Sequence, residues 1–211
     1  SSANMSKPAI GMKYSKVIFV GDSRTAGMKA TLNKQVSSSV TSDVSFIAKA
    51  GQGLRWFQST GYTQLINEIN KTKGSKPIAV VFNLGIMANI SNYISYMSDI
   101  ASTLKSKNCK LFYMSVNPIN SVMITKAGKG ARTEAQVREF NSKIRSGLSL
   151  NYKYIDTYSV LMKKGYGTNS SYSGTDAASD DGLHYTTKTF KRIYYYCITY
   201  LNTGSIDASI Y

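Results

Sequence analysis

Val17-Ile18-Phe19-Val20-Gly21-Asp22-Ser23-Arg24-Thr25 is the stretch that decides the fold. Its first four residues form a short, unbroken apolar run rich in β-branched and aromatic side chains. Such a run reads as a strand buried on both faces. It stops abruptly at glycine, aspartate and serine, and a helix is expected from Arg24 to Leu32, with Ser23 at the corner between them. A strand that passes through a tight corner into a helix is the opening of a βαβ unit.

The same alternation repeats along the chain. Further runs are Val44–Ala48, Pro77–Phe82, Leu111–Val116 and Tyr152–Asp156. Between them lie segments of helical spacing. Leu65, Ile66 and Ile69 share a face, as do Ile94, Met97, Ile100, Ala101 and Leu104, and then Val137, Phe140, Ile144 and Leu148. A last helix carries Phe190, Ile193, Tyr194, Cys197, Ile198 and Leu201. Five strands alternating with helices predict an α/β fold, a three-layer α/β/α sandwich around a five-stranded parallel sheet. The stretches 120–131 and 165–181 show no clear periodicity and read as long loops. Residues 1–15 read as a flexible N-terminal segment and 16–211 as one domain.

In such a sheet, ligands bind beyond the carboxyl ends of the strands. Ser23, Gly51, Gly85 and Asn117 each follow a predicted strand, so they are expected to gather at one edge. The 165–181 loop would bring Asp181-Gly182-Leu183-His184 to the same edge. His184 is the single histidine of the chain. A serine hydroxyl is a weak nucleophile until an imidazole takes its proton and a carboxylate holds that imidazole in the right tautomer. Taken alone, Ser23 reads as a loop or helix-capping serine, and His184 as a satisfied surface residue. The ordered set argues for chemistry. Asp180 adjoins Asp181, but the two-residue spacing favours Asp181 as the orienter.

Composition narrows the partners. Lys and Arg number 26 and Asp and Glu 11, a net charge of +15. The basic residues are spread without a block of like charge, which fits a basic surface or attraction to an anionic cell-surface polymer. No zinc-finger spacing, aromatic RNA-binding signature or basic heptad helix points to nucleic acid. No run reaches the ~18 apolar residues of a membrane span, and the first residues lack a charged-then-apolar signal pattern. Cys109 and Cys197 fit no metal motif, and one histidine cannot complete a zinc site. They read as buried small hydrophobes, with pairing left open. No metal or cofactor is expected, since Walker A, dinucleotide and His-Glu-x-x-His patterns are missing. Few cysteines beside abundant Ser, Thr, Asn and Tyr suit a secreted or cell-surface bacterial protein.

Gly21-Asp22-Ser23 after the first strand resembles the first motif of the SGNH/GDSL hydrolases. Asp181-x-x-His184 resembles their last motif. Gly51 in Ala50-Gly51-Gln52-Gly53 matches the second-motif glycine, and Asn83-Leu84-Gly85 matches the start of the third. Gly21 to Thr25, Ser115-Val116-Asn117-Pro118 and Asp181 to Tyr185 look most like domains of Gram-positive bacteria. The resemblance spans nearly the whole chain in order. It implies the flavodoxin-like SGNH fold, with Ser23 as nucleophile, His184 as general base and Asp181 as its orienter. The amides of Ser23 and Gly51 would form the oxyanion hole.

One departure stands out. The family's third motif, Gly-x-Asn-Asp, supplies an asparagine donor to the oxyanion, but here Gly85-Ile86-Met87-Ala88-Asn89 puts Met87 at that place. A thioether cannot donate. Asn89 is the candidate replacement if the loop is two residues longer, and Asn117 is the second candidate. Arg24, Trp56 and Asn117 are candidate substrate contacts, Arg55 a further one, and Lys126, Lys129 and Arg132 a candidate rim. The implied activity is a serine ester hydrolase, a deacetylase of a carbohydrate or cell-wall polymer. The same triad serves an O-acetyltransferase, and the Met87 departure admits a catalytically weak glycan-binding domain. Oligomeric state is left open.

Overall fold

The computed structural model describes residues 13–86 and 90–209. Five parallel strands, β1 (Lys16–Gly21), β2 (Val44–Ala48), β3 (Ile78–Asn83), β4 (Cys109–Met114) and β5 (Lys153–Ile155), form one sheet in the order β2-β1-β3-β4-β5. The helices are α1 (Ser23–Gln35), α2 (Tyr62–Lys71), α3 (Ile90–Ser106), α4 (Ser121–Ala127), α5 (Glu134–Gly147), α6 (Thr157–Lys164) and α7 (Thr187–Thr203). A short helical turn, Leu54–Trp56, and a π-helical stretch, Phe57–Gly61, lead into α2. The predicted α/β sandwich with a five-stranded parallel sheet is what the chain adopts.

Side-chain parity along the strands builds two cores. Ile18 and Val20, Val80 and Phe82, and Leu111 and Tyr113 face one side with Leu65, Met97, Leu104, Phe140 and Ile144. Val17 and Phe19, Ala79 and Val81, and Phe112 and Met114 face the other with Met28, Leu32, Tyr194 and Ile198. Thus α2, α3 and α5 cover one face, and α1, α6 and α7 cover the other. Burying each large side chain contributes roughly 1.5–3 kcal/mol, so β3, buried along its full length, is the best-anchored strand. Cys109 and Cys197 are free buried thiols in opposite cores, which settles their pairing.

Two stretches read as loops contain short regular structure. Residues 121–127 form α4, where the Asn120 side chain accepts the Met123 N–H and Gly128 closes the helix in the left-handed conformation. Only Ile124 of this helix is buried, so the stretch carries no periodic signal. Within and beyond 165–181, β6 (Thr168–Asn169) pairs antiparallel with β7 (His184–Tyr185). Asn169 organises the turn between them, its side chain accepting from Ser171 and Ala177 amides and donating to the Ala177 carbonyl.

The order 2-1-3-4-5 reverses direction at β1, so a crevice opens past the carboxyl ends of β1 and β3. That crevice holds Ser23.

Candidate active site

Each residue of Gly21-Asp22-Ser23 has a separate physical task. Gly21 ends β1 directly under α1, where an added Cβ would lie 1.8 Å from Thr25 Oγ1. Only glycine lets the strand turn into the helix this tightly. The Asp22 side chain caps α1, accepting the Arg24 N–H at 2.9 Å. Burial, partly offset by that bond and by the Arg24 charge, raises its pKa. Ser23 is the first residue of α1, so its amide has no acceptor within the helix and the helix dipole favours negative charge beside it.

The histidine arrives on β7, held by pairing to Asn169. The turn before it requires Gly182, with φ +73° and an added Cβ only 2.4 Å from the Asn120 carbonyl oxygen. Asp181 Oδ1 accepts the Leu183 and His184 amides at 2.8 and 3.0 Å. Its Oδ2 lies 2.6 Å from His184 Nδ1, and His184 Nε2 lies 2.8 Å from Ser23 Oγ. A proton on Nδ1, donated to the carboxylate, leaves Nε2 as acceptor for the serine hydroxyl. Asp180 is turned away, accepting from Thr168 and the Gly182 amide.

The protonation states suit this arrangement. Burial is the largest influence on His184 and pushes its pKa down. Asp181 pulls it up, and the Arg24 and Lys129 charges push it down again, so it ends below its ordinary 6.5. Burial also pushes Asp181 up, but the His184 and Leu183 amides and the imidazole outweigh it and bring it below 3.8. Near pH 7 the pair is a neutral imidazole and a carboxylate.

Ser23 and His184 open into a cleft of about 710 Å³, also lined by Gly51, Gln52, Gly53, Leu54, Arg55, Trp56, Gln58, Ile86, Asn92, Lys129, Gly130, Tyr172 and Leu183. Gly51 adopts φ +73°, a left-handed turn that glycine favours. Trp56 contributes both to the cleft wall and to the core beneath it, 8% exposed. Asn89, with Met87, lies outside the described residues.

Two expectations need correction. Arg24 is not a substrate contact but a buried tie. Its guanidinium donates to the carbonyls of Leu183 (2.8 Å), Asn117 (2.7 Å) and Pro118 (3.0 Å) and stacks 4.7 Å over the Tyr185 ring. Asn117 is 3% exposed, and its side-chain oxygen accepts from Ser115 and Thr157, with the amide nitrogen toward Met114 sulfur. Its side chain therefore serves neither the oxyanion hole nor the substrate. Of the expected rim, Lys129 reaches the cleft, whereas Arg132 donates to the Gly85 carbonyl and packs over Phe140. Sequence reasoning missed Tyr172, whose ring stacks on His184 at 4.5 Å between centroids. A lone tyrosine in an aperiodic loop gives no signal. Among the described residues, no group of three or more His, Cys, Asp or Glu is arranged to hold a metal ion. Nor is any described helix long and apolar enough to cross a membrane.

The fold is that of solved SGNH/GDSL hydrolase structures. Three solved structures carry the likeness. A candidate acylhydrolase from Bacteroides fragilis superposes with a TM-score of 0.61 at 16% identity, covering 95% of this chain and 93% of its own. A GDSL-like lipase from Bacteroides thetaiotaomicron gives 0.59 at 17%, covering 89% of each. A candidate SGNH hydrolase from Slackia heliotrinireducens gives 0.54 at 12%, covering 85% and 94%. At such identities the likeness establishes the fold. No protein-family model and no curated protein sequence matches the chain.

Proposed function

We propose that the chain is a serine ester hydrolase that removes a short acyl group, such as acetyl, from a carbohydrate or cell-wall polymer at a cell surface. The observation that carries this reading is the unbroken line Asp181 Oδ2 to His184 Nδ1 (2.6 Å) and His184 Nε2 to Ser23 Oγ (2.8 Å). Ser23 Oγ attacks the ester carbonyl carbon while its proton passes to His184 Nε2, and Asp181 stabilises the imidazolium. The carbonyl oxygen becomes an oxyanion against the amides of Ser23 and Gly51. Collapse breaks the bond to the alcohol, which leaves with the proton from His184. Water, deprotonated by His184, then cleaves the acyl-enzyme.

The cleft wall supports the substrate class. Among the described residues its apolar surface comes from Leu54, Trp56, Ile86, Leu183 and the Tyr172 ring, which suits a short acyl chain. The amides of Gln52, Gln58 and Asn92 suit sugar hydroxyls.

The test is hydrolysis of a chromogenic acetyl ester by the parent and by Ser23→Ala, with and without an oligosaccharide acceptor. Turnover that vanishes in the variant supports the reading, and equal turnover refutes it. Acyl appearing on the acceptor selects the O-acetyltransferase. Glycan binding without any turnover selects the binding domain that the methionine at position 87 would favour.

A further inference from the structure

At the opposite pole of the sheet, past the amino ends of β4 and β5, a second groove of about 690 Å³ rivals the cleft in size. It is lined by Lys13, Lys105, Lys110 and Lys153, by the polar side chains of Asn108, Ser149 and Asn151, and by an apolar floor that includes Phe112. The four lysines come from four separate chain segments, and no aspartate or glutamate lines the groove with them. Some basic side chains elsewhere meet carboxylates: Lys16 and Lys71 on Glu68, Lys143 on Glu139, Arg138 on Glu134. Here Lys105 donates to the neutral Asn151 side-chain oxygen, at 2.8 Å.

The sheet fixes part of this array. Phe112 pairs in register with Lys153, so Lys110, two residues earlier on β4, projects to the same face as Lys153. Their Cα atoms are roughly 8 Å apart from the strand spacing and rise. Four ammonium groups around one concavity raise the local concentration of a polyanion by focusing the field.

We propose that this groove binds an anionic polysaccharide, holding the protein on its polymer while the cleft at the other pole stays open. The lining separates this ligand from a nucleic acid. Single strands are bound on exposed aromatic faces, whereas Phe112 and Tyr152 are each 4% exposed. Tyr14 is half-buried, with its ring meeting Phe112 edge-on. The asparagine and serine side chains suit sugar hydroxyls, with an exposed Leu150 at the lip. The proposal stands apart from the reaction assigned to the cleft.

The experiment measures anisotropy of fluorescent oligogalacturonate with the full chain across a salt series. The groove variant carries Lys13→Gln, Lys105→Gln, Lys110→Gln and Lys153→Gln. The control variant carries Lys29→Gln, Lys34→Gln, Lys163→Gln and Lys188→Gln, four exposed lysines on the face covered by α1, α6 and α7. Each loses four charges, and melting curves confirm folding. The expected result is at least tenfold weaker binding and a shallower salt dependence in the groove variant, with the control within about twofold of the parent. Ser23→Ala should bind like the parent whatever its activity, which separates this proposal from the catalytic one. Equal weakening in both variants would reduce the groove to diffuse surface charge. Absence of parent binding, or tighter binding of an oligothymidylate of equal charge, would overturn the proposal outright.

Discussion

Arg24 Nε donates to the Leu183 carbonyl at 2.8 Å, joining the residue after Ser23 to the residue before His184 across 159 positions of sequence. The same guanidinium holds the Asn117 and Pro118 carbonyls just beyond β4. Three chain segments that build the site are therefore clamped by one planar cation, whose forked donors a lysine cannot reproduce.

Arg24→Lys is expected to lower stability by about 2–3 kcal/mol, because buried carbonyls lose charged partners. Turnover should fall through loosening of the His184 segment, with KM little changed. Urea denaturation beside steady-state kinetics checks this. A raised KM at unaltered stability would restore Arg24 as a substrate contact.

Asp181→Asn keeps the size of the side chain but removes its charge and lets the amide select the wrong imidazole tautomer. A loss of about 10⁴ in kcat is expected, with the fold preserved because the Asn side-chain oxygen still accepts the Leu183 and His184 amides. Asp180→Asn, whose carboxylate faces Thr168, should cost far less. Comparable losses in both variants would remove Asp181 from its assigned role.

The pH profile follows from the direction of the His184 shift. Its pKa lies below 6.5, so the neutral base persists as pH falls past 6.5 and the acid limb of kcat/KM should lie below that value. Stability has the same sign. Between the folded pKa and 6.5 the unfolded chain binds more protons at this site, so stability falls as pH drops through that window and levels off beneath it. Asp181, depressed below 3.8, adds stability above 3.8 that is lost as pH falls through its folded pKa. An acid limb above 6.5 would contradict the geometry.

Gly51→Ala meets open space, since apart from its chain neighbours no described atom lies within 4 Å of the added Cβ, but φ +73° penalises any side chain. A destabilisation of roughly 1–2 kcal/mol is expected, with a larger proportional drop in kcat as the amide turns from the oxyanion position. The third donor is tested by Asn89→Ala. If the Asn89 side chain serves the hole, kcat falls by about 10²–10³, and an unchanged kcat leaves a hole of two amides.

The sheet was legible because its strands are buried on both faces, and continuous runs such as Ile78–Phe82 admit little else. Ser23, Asp181 and His184 were legible because tight corners impose residue types: glycine where a Cβ would strike Thr25, and glycine again where φ is positive at Gly182. What sequence hides is direction. Arg24 and Asn117 stand at the right edge of the sheet, yet their side chains turn inward to backbone carbonyls and buried hydroxyls, and no spacing rule records that. Tyr172 is the converse case, placed on the imidazole by a turn that Asn169 ties together. Short α4 escaped because its two turns bury one side chain.

The central claim is that the Ser23 hydroxyl is activated by His184. Incubation with a fluorophosphonate probe, followed by peptide mass analysis, tests it most directly. One probe per chain is expected, carried on Ser23, with labelling abolished in Ser23→Ala and slowed in Asp181→Asn. An unlabelled parent, or a probe found on another residue, would contradict it.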